Sequence, residues 1–213
     1  IRGMAAHAQN GPKSSGMPAL ALLDADMQRL GVAVDADTQR EVARRALPVH
    51  VAPGETIQNQ ARVAQAWVFV SDGIAASEQS WSDGTTTIAR FFEAGSFCAN
   101  FTSLWTRDIA ADDLRAVTHV TGRAFPDAVF RHEYLHGGAF GTYLRLKVME
   151  AHLFAKELVC AKTSGRTGVR YQFLQQYHRN VIGTVPQKDI ARFMGITPQG
   201  LSRFLRREKA ASS

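Results

Sequence analysis

Cysteine is nearly missing from this 213-residue chain: Cys98 and Cys160 stand alone, with no CxxC spacing and no third thiol. A four-cysteine zinc site and a protein-borne iron–sulfur cluster are thereby excluded, and two buried thiols in a reducing compartment become the expectation. Long apolar runs are also lacking. Nothing approaches the roughly 18 residues that a membrane-spanning helix needs, and the N-terminal segment has no continuous apolar core of the secretory type. The expectation is a cytoplasmic protein with no membrane partner. A catalytic constellation is absent as well: Glu78, Asp112 and Asp113 are scattered acids without a nucleophile–base motif, so no catalytic residue and no metal-ligand set is named. What remains, at 45% hydrophobic and 21% charged residues, is an ordinary globular composition with room for one mid-sized core and one small one.

The most informative stretch is QKDIARFMGITPQGLSRFLR, residues 187–206. Ile190, Met194, Ile196, Leu201 and Phe204 recur where two short crossing helices need apolar groups facing each other. Ala191 supplies the small side chain that the crossing demands, and Gly195 tolerates the positive φ of the tight turn. Thr197 is placed to cap a second helix, with Pro198 in its first turn, where a missing N–H is harmless. The pattern predicts a helix-turn-helix whose recognition helix covers residues 198–207. Gln199, Ser202 and Arg203 become candidates for contacts to DNA bases, and Arg179, Lys188, Thr197, Arg206, Arg207 and Lys209 for contacts to phosphates. Charge supports this. From Lys162 onward ten Lys and Arg oppose Asp189 and Glu208, a net of +8 in a chain whose total is only +6. A positive field confined to one region is the footprint of a phosphate-binding surface.

Ahead of this motif the hydrophobic period changes twice. Residues 1–17 are rich in Gly, Ala and Ser and are expected to form a mobile tail, with residues 1–3 as a cloning remnant before Met4. Two amphipathic helices are predicted near 18–30 and 36–46. Between residues 47 and 125 short runs such as LPVHVA, AWVFVSDG, IAASEQSW, TTIARFF and LRAVTHV alternate with Pro-Gly, Asp-Gly and Ala-Gly punctuation, which predicts an antiparallel β-roll. Residues 138–162 then read as one long helix with two apolar stripes: Tyr143, Leu146, Met149, Leu153 and Cys160 on one, Leu144, Ala151, Phe154, Leu158 and Ala161 on the other. One stripe is expected to pack on the roll and the other on the same helix of a second subunit, although a monomer could bury both, and Lys156 interrupts the heptads. The resulting division is a tail at 1–17, a sensing roll at 18–137, a dimerisation helix at 138–163 and a DNA-binding unit at 164–213.

This order of parts, together with GITPQGLSRFLRR, resembles the Crp/Fnr family of bacterial transcription regulators, which includes the cyclic AMP receptor protein and the fumarate and nitrate reduction regulator. The resemblance spans residues 18–209 and is strongest over 171–207; within the roll it rests on PGE at 53–55, DG at 83–84 and AGSF at 94–97. It implies an α+β fold with a cyclic-nucleotide-binding-like roll, a dimerising helix and a winged helix-turn-helix. It also implies a homodimer on palindromic double-stranded DNA, RNA polymerase as a further partner, and a small-molecule effector held near Gly95, Ser96, Phe97 and Cys98. The competing class is a small-molecule-binding or enzymatic module whose C-terminal helices only pack.

Departures from the family pattern narrow the chemistry. Cyclic AMP-binding members use a Glu on the ribose and an Arg on the cyclic phosphate. Residues 95–100 here read GSFCAN, and 110–113 read AADD, so the ribose acid is missing and two carboxylates stand near the expected phosphate. Arg107 and Arg115 are the remaining cations for an effector pocket. Cyclic AMP is therefore disfavoured. Cluster-binding relatives use four cysteines, and the candidate haem ligands His119, His132, His136 and His152 are lone histidines, so haem is disfavoured too. The effector stays unidentified. Only about six residues separate Asn180 from Gln187 and few follow Lys209, so the wings are expected to be reduced or absent. Gln199 stands where many relatives carry Glu; an amide pairs with adenine where a carboxylate accepts from cytosine, which predicts an altered half-site.

Overall fold

The computed structural model describes residues 18–211, so the expected N-terminal tail lies outside the described residues. Two helices open the fold, α1 (Ala19–Arg29) and α2 (Ala36–Arg45), the second capped by Asp35, whose carboxylate accepts from the Thr38 amide at 2.7 Å. Eight strands follow: β1 (Leu47–Val51), β2 (Thr56–Gln58), β3 (Ala66–Asp72), β4 (Ala75–Ser80), β5 (Thr86–Phe92), β6 (Phe97–Cys98), β7 (Asp113–Ala116) and β8 (Val120–Pro126). They form two antiparallel four-stranded sheets, ordered β1-β8-β3-β6 and β2-β7-β4-β5. Period-2 alternation explains their stacking. Val68 and Val70 of β3 point between the sheets with Phe92, Cys98, Leu114 and Val120, while Trp67 and Phe69 point outward to the helices. Gly122 of β8 permits a close approach, since a Cβ there would collide with the Phe69 carbonyl oxygen.

Two features differ from the sequence expectation. The run LRAVTHV holds a chain reversal between β7 and β8, not one strand, with the Val117 amide donating to the Ile74 carbonyl at 2.8 Å. A short helix, α3 (Phe101–Thr106), also interrupts the roll; its aromatic residues carry no strong helical pattern.

After β8 come α4 (Asp127–His136), the long α5 (Ala139–Thr163), α6 (Thr167–Tyr177), α7 (Gln187–Met194) and α8 (Pro198–Ala211). The N-terminal half of α5 packs with α1, α2 and α4 on the outer face of the first sheet. Its C-terminal half enters a different cluster, in which Ile74, Ile88 and Phe91 of the roll region meet Phe154 and Ala161 of α5 and Phe173, Ile190, Phe193 and Met194 of the last helices. The helix-turn-helix core is thus continuous with the outer face of the second sheet. No strand flanks α7 or α8 among the described residues, and turns join α6 to α7.

Candidate nucleic-acid interface and roll pocket

The α7–α8 turn has the geometry its residues predict. Gly195 closes α7 with φ 64°, the left-handed region where a side chain would be strained. Ala191 and Leu201 are both buried in the same hydrophobic cluster. Thr197 Oγ1 accepts from the Gly200 amide at 3.0 Å, so this hydroxyl caps α8. Pro198, Gln199, Ser202, Arg203 and Arg206 line one shallow hollow on the outer side of α8. Gln199, Arg203, Arg206 and Arg207 are exposed, as is Lys188 at the start of α7. Lys209 is exposed further along α8. Arg179 is exposed too, and its Nε donates to the Gln175 carbonyl at 3.1 Å.

The opposite side of α7 is tied to the roll. Asp189 is buried and accepts from Arg115 of β7 at 3.4 Å and from Arg192 at 3.3 Å, while Arg115 also donates to Glu78 of β4 at 2.7 Å. Lys162 donates to the Ile88 carbonyl at 2.7 Å and the Phe193 carbonyl at 3.0 Å, and burial pushes its pKa down to about 8. His178, fully buried, meets Glu93 at 2.7 Å through Nδ1. Burial lowers its pKa below the ordinary imidazole value, and the Glu93 contact opposes that shift.

On α5 the two stripes separate. Leu146, Met149 and Cys160 are exposed, Leu153 is half-buried, and Val159 adds a further exposed apolar group. Residues 142, 146, 149, 153, 156 and 160 alternate in steps of four and three, a heptad seam facing solvent. Tyr143 does not belong to that seam, which corrects the sequence assignment. It is fully buried against the first sheet, one residue out of phase, and its hydroxyl donates to Asp26 Oδ2 at 2.8 Å.

Asp26 anchors a dense charged cluster between α1 and α5. Lys147 reaches Asp26 at 2.9 Å, Glu150 at 3.1 Å and the Gly95 carbonyl at 3.0 Å, using all three ammonium donors. Arg29 pairs with Asp26 at 2.7 Å and holds Glu150 by two bonds of 2.9 and 3.1 Å. Burial alone would raise the Asp26 carboxyl, yet Lys147 and Arg29 hold it below the usual carboxylate range.

Beside this cluster a cavity of about 330 Å³ lies between the roll and α5. Ser96 and Phe97 line it, with Trp67, Phe101 and Phe130 on one side and Leu144, Ala151 and Phe154 on the other. The cations named from the sequence are elsewhere. Arg107, at the left-handed end of α3, pairs with the buried Asp127 at 2.6 Å, and Arg115 is committed to Glu78 and Asp189. Cys98 lies in the core between the sheets, where burial pushes its thiol up to about 12, so a reactive thiolate is disfavoured. Lys147 and Arg90 of β5 are the Lys and Arg side chains at this cavity, and sequence reading missed Arg90. Its one available signal was an Arg two residues before Phe92, on the inward face of an alternating strand. Among the described residues no group of three His, Cys, Asp or Glu converges as a metal site, and no helix is long and apolar enough to cross a membrane.

No protein-family model and no curated protein matches the chain. Solved structures do. FixK2 from Bradyrhizobium japonicum superposes with a TM-score of 0.64 at 16% identity, covering 78% of this chain and 86% of that one. The c-di-GMP responsive global regulator CLP from Xanthomonas campestris gives 0.62 at 12% identity, covering 84% and 93%. A structure from Eubacterium rectale, assigned to the crp/fnr family of transcriptional regulators, gives 0.60 at 14% identity, covering 84% and 85%. At such identities the likeness speaks to architecture alone, and on that ground the chain has the Crp/Fnr fold: a cyclic-nucleotide-binding-like roll, a long helix and a C-terminal helix-turn-helix.

Proposed function

We propose that this protein is a cytoplasmic, homodimeric transcription regulator that binds a palindromic DNA site and adjusts that binding to a small molecule held between its roll and α5. The observation that carries the reading is the outer face of α8, where Gln199, Ser202 and Arg203 share a surface with Arg206. Lys188, Arg203, Arg206 and Arg207 make no side-chain hydrogen bond or ion pair within the described residues, so these cations are available to phosphates or bases. Arg203 has the fork that suits guanine O6 and N7, and Gln199 the amide that suits adenine. The solvent-facing seam of Leu146, Met149, Leu153 and Cys160 supplies the dimer contact, and a twofold dimer reads a twofold site. RNA polymerase is the partner through which such a bound dimer would act.

Coupling follows from α5 being shared. Its inward residues line the cavity while its outward residues form the seam, so a molecule that shifts the helix acts on both. The experiment is selection of bound sites from random duplex DNA at one fixed salt concentration, with sedimentation of the same protein. A twofold-symmetric motif that changes in Arg203→Ala supports the reading. The same motif from both proteins, or tight palindrome binding by a strict monomer, overturns it.

A further inference from the structure

Arg90 stands in an unusual position for a charged side chain. Its guanidinium lies over the Phe92 ring at 4.9 Å and the Phe154 ring at 4.5 Å, at the wall of the cavity between roll and α5. Two aromatic faces attract a cation but satisfy none of its five N–H donors. Its Nε is buried without a hydrogen-bond partner, and the side chain forms no ion pair among the described residues. Trp67, another lining residue, has its Nε1 buried and equally unpartnered. Leaving such groups unpaired costs about 1–3 kcal/mol each, more for a charged one.

The other polar groups at the cavity are already occupied. Lys147 spends its three donors on Asp26, Glu150 and Gly95, Glu150 is held by Arg29, and Ser96 Oγ donates to the Glu93 carbonyl at 2.6 Å. His152 is at the exposed edge. One cation therefore remains to be neutralised, inside walls made of Phe92, Phe97, Phe101, Phe130 and Trp67. At about 330 Å³ the space is at the small end of ligand cavities.

We infer that the cavity binds a small aromatic carboxylic acid as its anion, with the carboxylate on Arg90 and the ring among the phenylalanines. A guanidinium fork matches a carboxylate, and a lining rich in aromatic rings suits a flat apolar body. A doubly charged phosphate ester would lack a second free cation and would face Glu150. A cyclic nucleotide would bring ribose hydroxyls and base edges to walls that offer few unpaired polar groups. The inference rests on the reading of the roll as the sensing domain and gives that site its ligand chemistry.

The test is calorimetric titration of the full chain with phenylacetate and indole-3-acetate, with phenylacetamide as the uncharged counterpart and cyclic AMP alongside. The acids are expected to bind at least about tenfold more tightly than the amide, the worth of one charge-assisted pair. Arg90→Met should abolish that preference while leaving the thermal midpoint unchanged or higher. Ala151→Leu, which fills the cavity from α5 without altering charge, should weaken acid and amide alike and keeps the test valid if Arg90→Met does not fold. Equal binding of acid and amide, no binding of either acid, undiminished affinity in Arg90→Met, or tighter Arg90-dependent binding of cyclic AMP would each overturn the inference. Acid binding through Arg90 that leaves DNA affinity unchanged at saturation would leave the anion site standing and sink the sensing role.

Discussion

The two ends of the molecule treat charge in opposite ways. At the junction of α1 and α5, Asp26, Arg29, Lys147 and Glu150 are buried or nearly so, and each has its partner. On α8, Arg203, Arg206 and Arg207 are exposed and have no ion-pair partner among the described residues. The first arrangement holds a helix to a sheet; the second leaves its donors for another molecule. Arg90 breaks the division, because it lies in the packed region yet, like the surface cations, has no ion-pair partner among the described residues. A buried charge with partners belongs to the architecture, and one without them beside a cavity is a candidate for a ligand's countercharge.

The largest effect should come from breaking the satisfied cluster. Asp26→Ala strands Lys147 and Arg29 in a low-dielectric setting and is expected to cost about 3–5 kcal/mol in urea denaturation. A loss no greater than that of Arg90→Met would erase the contrast between the two sites. Next is Leu153→Asp, which places a charge in the proposed seam; sedimentation equilibrium should show dimer affinity falling about a hundredfold or more. An unchanged dimer would move the subunit contact to another surface.

At the DNA end, Arg203→Ala should weaken the preferred site by about 1–3 kcal/mol and relax one base pair of each half-site, read by competition binding. Gln199→Glu should move a neighbouring position from adenine toward cytosine on the contacted strand. Lys188→Ala should weaken all sequences alike and lower the salt slope by about one, which separates phosphate contact from base reading.

The smallest effect is a pH dependence. His178 titrates below its unfolded value of 6.5 because it is buried, so on acidification the unfolded chain takes up the proton first. Stability should therefore fall as pH drops from about 6.5 toward the lower folded value, and His178→Gln should remove that slope in urea midpoints. An identical slope in the variant would assign the dependence to other groups.

Much of the fold was legible because its signals are local. Gly195, Ala191 and the apolar positions of 187–204 answer constraints set within twenty residues, and α8 begins at Pro198 as its proline and threonine indicate. Strands β1, β3, β4 and β5 were equally readable from period and turn residues, whereas the short β2 and β6 and the reversal between β7 and β8 were not. What α7 packs against was not, because its contact with β5 joins residues about a hundred apart that share no pattern.

The sequence alone therefore determined the helix-turn-helix, the roll, the long helix and the concentration of positive charge near the C-terminus, since each follows from spacing, turn chemistry or composition. Tertiary structure alone decided which charges are spent. Arg107 and Arg115 read from the chain as free cations and are ion-paired in the fold, Tyr143 reads as a seam residue and is buried, and Arg90 reads as an ordinary strand residue and faces a cavity unpaired. The physical reason is that the partners of a charge are set by through-space distance at low dielectric, and residues such as Arg115 and Asp189, 74 positions apart, meet only when the chain is folded.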